Sequence, residues 1–324
     1  MVAQDSLITN LNYPLRFYIT NHFNLVKNKN VPGSARASIF VTSETRMIDG
    51  TYWRTYSDIM VPRLATVLGS MVLIDVIAQK KQIEIWYTRE TTKFHTVDFF
   101  LDLDRYKQMD KLGHFTDAYF VSDLSSKLYR WSGISGSSSV WFGALTGWLW
   151  TLQIEFHDAR SPTWGWSWGD IIANTLGAGF FVLQKFNYDL FGGIHPKYSY
   201  HQSEEWKKYG SKTPGANLIQ DYSGMTFWLT VNPHHYFPDS WKETYPKWLA
   251  PLGIAFGFGV NNTIFDSLKG ERELFIGLDI DIRKIPIGDD SDFFRFIKSE
   301  LNFIRLPLPT VRITPSGIWY GLYF

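Results

Sequence analysis

The most apolar third of the sequence carries ionisable and amide side chains at helical spacing. Asp110 and His114 are four residues apart, as are Asp170 and Asn174, with Glu155 and Asp158 between the two pairs. Residues four apart share one face of a helix, so each pair presents both groups in one direction. A charge inside an apolar helix must be paired or must do chemistry, because burying it alone is costly. Three uses meet that condition: a bound cation, an acid–base group, or a hydrogen-bond network that locks helices together. One imidazole with two or three carboxylates, here His114 with Glu155 and Asp170, has the composition of a divalent-metal site. The same three residues could act as acid and base on a lipid or glycan. The reading we expect is structural: Asp110, His114, Glu155, Asp158, Asp170 and Asn174 cap helices and bond across a bundle, as buried polar groups normally do. On that reading the chain has no catalytic residue, metal or cofactor.

A second set of residues points to contacts instead of chemistry. Trp164, Trp166 and Trp168 alternate with small residues, and the chain closes on Trp319, Tyr323 and Phe324. Amphipathic rings of this kind suit a membrane interface or a protein partner. His234 and His235 are adjacent, so in an extended segment they face opposite ways and make a poor ligand pair. No glycine pattern stands between a strand and a helix as a phosphate cradle requires, and no nucleophile elbow is present.

The elements that must position these groups follow from periodicity and breakers. Residues 1–55 mix polar residues with short apolar runs such as Ser38–Val41 and read as an irregular arm with one strand. Pro62 opens a helix whose apolar positions run from Leu64 to Ile74, ending near Lys81. Helices follow over about 109–131, 136–157 and 168–186, separated by a Gly/Ser linker and by Ser161-Pro162. Gly143, Gly147, Gly177 and Gly179 lie inside them, where each costs about 1 kcal/mol relative to alanine and so signals close helix packing. No segment shows the roughly 18 to 20 uninterrupted apolar residues of a spanning helix. From Gly224 the period becomes two, and strands are expected at Met225–Val231, Leu252–Val260, Leu274–Arg283, Thr310–Thr314 and Gly317–Phe324. In the third of these the apolar residues share one face, and Asp279, Asp281 and Arg283 share the other. The expected class is therefore α+β: an arm (1–55), a compact bundle of about four helices (56–190) and an antiparallel region of about five strands (191–324).

Composition limits the function. A hydrophobic fraction of 45% supports a sizeable core, and a net charge of +1 removes any global electrostatic case for nucleic acid. Cysteine is absent, which excludes disulfides, thiolate metal sites and a cysteine nucleophile. The start, Val2-Ala3-Gln4-Asp5-Ser6-Leu7, reads as the tail of a removed export signal, so the expected place is the periplasm or the periplasmic face of the outer membrane.

The run Asp110-Lys111-Leu112-Gly113-His114, with Glu155, Asp158, Trp168-Gly169-Asp170 and Asn174-Thr175-Leu176-Gly177, resembles the bacterial envelope family typified by the predicted lipoprotein YfiM. The stretches His195–Gln202, Asp221–Gly224 and Phe275–Asp281 look like the β-rich tail of its longer members. The order of Asp110, Lys111, His114, Glu155, Arg160, Asp170, Asn174 and Gly177 is also similar to VanZ-type membrane proteins, although a mean hydropathy of −0.15 departs from that polytopic class. Some longer relatives look like the plug of the barrel used in type IX protein secretion. These resemblances imply an envelope protein that docks on an outer-membrane assembly, with a large secretion barrel as its sharpest partner and contact with the membrane surface.

Overall fold

The computed structural model describes residues 53–87, 90–212, 217–263 and 267–324. The expected strand at Ser38–Val41 and nearly all of the arm lie outside them. The architecture is α+β, with helices in the middle of the chain and a six-stranded sheet at its end. Helix α1 spans Val61–Trp86, α2 Phe99–Asp104, α3 Met109–Trp131, α4 Gly136–Asp158 and α5 Trp168–Phe186.

Helices α2, α4 and α5 begin on a side-chain cap, and α1 opens on Pro62. Asp98 accepts from Leu101 N at α2, Ser135 from Ser138 N at α4 and Ser167 from Asp170 N at α5. Helices α3, α4 and α5 pack at very short range. A Cβ on Gly143 or Gly147 would run into the α3 backbone at Ser122 or Ala118, and one on Gly177 would overlap the carbonyl oxygen of Phe115. Gly179 departs from the expectation, because a Cβ there would meet open space.

Helix α1 extends five residues past its expected end. Among the described residues it is the one helix long and apolar enough, by length and composition, to cross a membrane, and most of its apolar side chains are exposed. Its 26 residues rise about 39 Å. Asp75 interrupts the apolar run, which is why a search for an uninterrupted stretch passes over it. Its carboxylate accepts from Gln79 Nε2 at 2.8 Å and from Gln153 Nε2 of α4 at 2.6 Å.

The sheet is an antiparallel meander in sequence order: β1 Ile194–Tyr200, β2 Met225–Val231, β3 Leu252–Asn261, β4 Glu271–Ile280, β5 Leu308–Thr314 and β6 Ile318–Tyr323. Helix α6, Asp292–Leu301, precedes β5. Six strands replace the expected five because β1 is present as well. Its inward residues are His195, Lys197 and Ser199, so it lacks the apolar alternation that marks a strand.

The inner face of the sheet sets buried charges around an aromatic cluster of Trp228, Phe275 and Tyr323, and its outer face is apolar. Leu229, Phe256, Ile276, Val311 and Trp319 are cross-strand neighbours from β2 to β6, and all five are exposed. On the inner face Lys197 Nζ contacts Asp279 at 2.9 Å, and Arg283 pairs with Asp281. Arg305 lies 3.9 Å from the Trp228 ring centroid and donates to Leu278 O, Tyr323 O and Thr310 Oγ1. Gly257, opposite Trp228, leaves the space that the indole fills.

Candidate functional site

Three helix segments converge on His114. Helix α3 brings Asp110, Lys111 and His114, the C-terminal turn of α4 brings Glu155 and Asp158, and the first two turns of α5 bring Asp170 and Asn174. The α5 cap ties the set together: Ser167 Oγ donates to Asp102 Oδ2 at 2.6 Å, and Ser167 N donates to Glu155 Oε2 at 3.1 Å. Gly169 matters here, since a Cβ would press on the Lys111 chain and the Asp102 carboxylate.

Lys111 is clamped by three carboxylates, with Nζ 2.7 Å from Asp102 Oδ2, 2.8 Å from Asp170 Oδ1 and 3.1 Å from Asp110 Oδ2. His114 uses Nδ1 on Asn174 Oδ1 at 3.0 Å. An amide oxygen can only accept, so Nδ1 carries the hydrogen and Nε2 offers a lone pair in the neutral ring. Around Nε2 stand Glu155 Oε1 at 3.7 Å, Asp170 Oδ1 at 3.8 Å and Asp110 Oδ1 at 4.0 Å. These distances are too long for hydrogen bonds.

The electrostatics follow from crowding carboxylates in a dry place. Burial, together with Asp170 and Asp158, pushes Glu155 up to about 9 despite the attraction of His114. Burial pulls His114 down, but Asp170, Asp110 and Glu155 outweigh it and hold the ring at about 9. Burial raises Asp158 to about 7 against the hydrogen bond that Tyr87 Oη donates to its Oδ1 at 2.5 Å.

The cluster opens on a cavity of about 520 Å³ between helices and sheet, walled by Trp86, Tyr87, Trp164, Tyr222 and Phe227, with Asp110, His114 and Asp170 at its edge. The structure therefore unites all six residues of the expected polar cluster, with Asp158 one step removed through Tyr87. It adds Asp102, Lys111 and Tyr222. Lys111 sits inside the same sequence motif, and Ser167 with Asp170 forms a cap pattern that places Asp102 beside them.

The aromatic candidates separate. Trp164 donates Nε1 to Trp86 O at 3.3 Å and lines the cavity, while Trp166 is half-buried among Phe94, Phe156 and Trp168. Trp168, Trp319 and Phe324 are exposed. Tyr323 is corrected: it points inward, shares a hydrogen bond with Thr226 Oγ1 and packs on Phe275, so it offers no surface.

Residues 99–186 match the model of a family described as Predicted periplasmic lipoprotein (DUF2279). The match covers α2 to α5 and so every member of the polar cluster except Tyr222. An exported, envelope-associated location agrees with that description. No curated protein and no solved structure matches the chain.

Proposed function

We propose that the protein is a non-enzymatic envelope component that docks its apolar exterior on a membrane-embedded outer-membrane protein. The observation that carries this reading is the apolar outer face of the sheet, whose exposed row runs from Leu229 through Phe256, Ile276 and Val311 to Trp319. A contiguous exposed apolar face marks an interaction surface. Lipid alone is the weaker occupant, because β6 pairs only with β5 among the described residues and an open strand edge leaves backbone groups that hydrocarbon cannot satisfy. A protein partner can cover or extend that edge.

The sharpest form of this reading, a plug or gating subunit of the type IX secretion barrel, rests on the resemblance of the β-rich tail and on the envelope family description. A photo-crosslinking residue at Trp319 or Leu229, activated in living cells, tests both levels. The expected product is a discrete adduct with a barrel-forming outer-membrane protein, lost when Ile276→Asp places a charge in the row. Adducts with lipid alone, or with a second copy of this chain alone, would overturn the docking reading. An adduct with a barrel outside the secretion channel would leave docking standing and remove the plug.

A further inference from the structure

We infer that the space beside His114 Nε2 is a binding site for one divalent transition-metal ion of the zinc class, held by His114, Asp110 and Asp170 with Glu155 as the fourth ligand. The site lies in the helices and not on the apolar exterior, so it stands independently of the docking reading.

Asp110 gives Oδ2 to Lys111 and turns Oδ1 toward His114. Glu155, fully buried, gives Oε2 to the Ser167 amide and turns Oε1 toward His114, and that Oε1 has no hydrogen-bond partner. A wholly buried carboxylate oxygen aimed into a gap with nothing to accept from is a costly arrangement unless a cation fills the gap. Asn174 supplies the outer-shell contact that metal-bound imidazoles almost always have: it fixes Nδ1 as the protonated nitrogen and aims the Nε2 lone pair at the carboxylates.

The spacing fits an ion. Zinc bonds to nitrogen and oxygen of about 2.0–2.2 Å set tetrahedral ligand atoms roughly 3.3–3.6 Å apart. The carboxylate oxygens stand 3.7, 3.8 and 4.0 Å from Nε2, and the ligand atoms of Asp110, His114 and Asp170 all lie within 4.8 Å of one another, so the cage contracts to hold an ion. The charge also fits. Asp102, Asp110 and Asp170 face Lys111 as the fixed cation of the cluster when His114 is a neutral ligand, and a divalent ion offsets the remaining excess. Lys111 Nζ lies 2.8 Å from Asp170 Oδ1, the atom that also faces Nε2, so an ion would share that oxygen with the ammonium. Asp110 and His114 border the cavity, which provides a route of entry and room for a water ligand.

The test uses the full chain in mild detergent, stripped with a chelator and titrated with Co²⁺ and then Zn²⁺. The expected result is one equivalent of Co²⁺ with visible d–d absorption, displaced by Zn²⁺, and a higher Tm with either metal. Asp110→Asn alters the most exposed of the ligands, so it is chosen to retain the fold, and it should weaken Co²⁺ binding at least about tenfold. In the wild type, ¹⁵N-histidine spectra should show a single imidazole Nε2 moving on Zn²⁺ addition, a readout that needs no variant. Binding below one equivalent, equal affinity in Asp110→Asn, or no shifted imidazole would each overturn the site.

Discussion

Beyond the His114 cluster, single residues hold the helices together through buried charge. Asp123 of α3 accepts from Lys127 at 2.5 Å and from Lys185 of α5 at 2.6 Å, and Lys127 continues to Glu300 of α6 at 2.6 Å. Removing one member leaves the others charged in a dry place, which costs about 3–5 kcal/mol. Asp123→Asn should therefore lower stability by that amount in denaturant titration, and a loss below about 1 kcal/mol would show that the network is not a lock. His195 makes a pH prediction. Burial and the Arg283 guanidinium, with Lys197 and Lys185 behind it, hold the ring well below its usual 6.5 despite the pull of Asp281. The folded ring stays neutral while the unfolded one takes up a proton, so acidification below 6.5 withdraws stability at up to about 1.4 kcal/mol per pH unit. Asp158, held up near 7, works in the opposite direction, so the informative quantity is a difference between proteins. His195→Gln should gain stability relative to wild type between pH 6.5 and 5, and parallel pH profiles would refute the assignment.

Among the elements, closeness of approach separates the face of α5 that positions the cluster from the face turned to open space. Gly177 permits α5 to touch the α3 backbone at Phe115, only one residue from His114, whereas Gly179, two residues on, faces open space. Gly177→Ala should force the helices apart and cost about 1–3 kcal/mol or more as overpacking. Gly179→Ala should stabilise by up to about 1 kcal/mol through helix propensity. Chemical denaturation of the two variants side by side checks both signs, and a destabilising Gly179→Ala would place an unseen neighbour there. This contrast also shows what sequence could convey. Helix boundaries were legible because Pro62, the Gly/Ser linker before α4 and the Ser161-Pro162 break punctuate apolar periodicity, and the i,i+4 pairs Asp110/His114 and Asp170/Asn174 announced a shared site. Which glycine meets a neighbour was not legible, since propensity is local and contact is not. Lys111 and Asp102 escaped for the same reason: their meeting depends on α2 crossing the start of α5. β1 was hidden because strand patterns are sought by their apolar face, and here the buried face is His195, Lys197 and Ser199.

At the scale of the whole molecule the helices keep an apolar core around Tyr119, Val140 and Phe181, while exposed apolar side chains run over both the sheet and the helices. The outer face of the sheet carries Leu229, Ile254, Phe256, Ile276 and Leu278, and α4 adds exposed Trp141, Phe142, Leu145 and Leu149. Burying a fully exposed side chain of this kind is worth about 1.5–3 kcal/mol, and these five are each roughly half exposed, so the row from Leu229 to Trp319 represents on the order of 5 kcal/mol of gross driving force, against association costs of about 4–15 kcal/mol. Exposed to water, that surface should drive self-association, while the folded interior, built on Arg305, Lys197 and Trp228, takes no part in it. Replacing Leu229, Phe256 and Ile276 together by Thr keeps β propensity and removes the apolar row. Because these side chains point away from the interior, each change should cost no more than about 0.5 kcal/mol. The triple variant should therefore run as a single monomeric species without detergent, measured by light scattering, with a melting temperature within a few degrees of the detergent-solubilised wild type. Cooperative unfolding lost in the variant would mean that the row is a core face buried within this chain, and the docking surface would have to be sought on the helices.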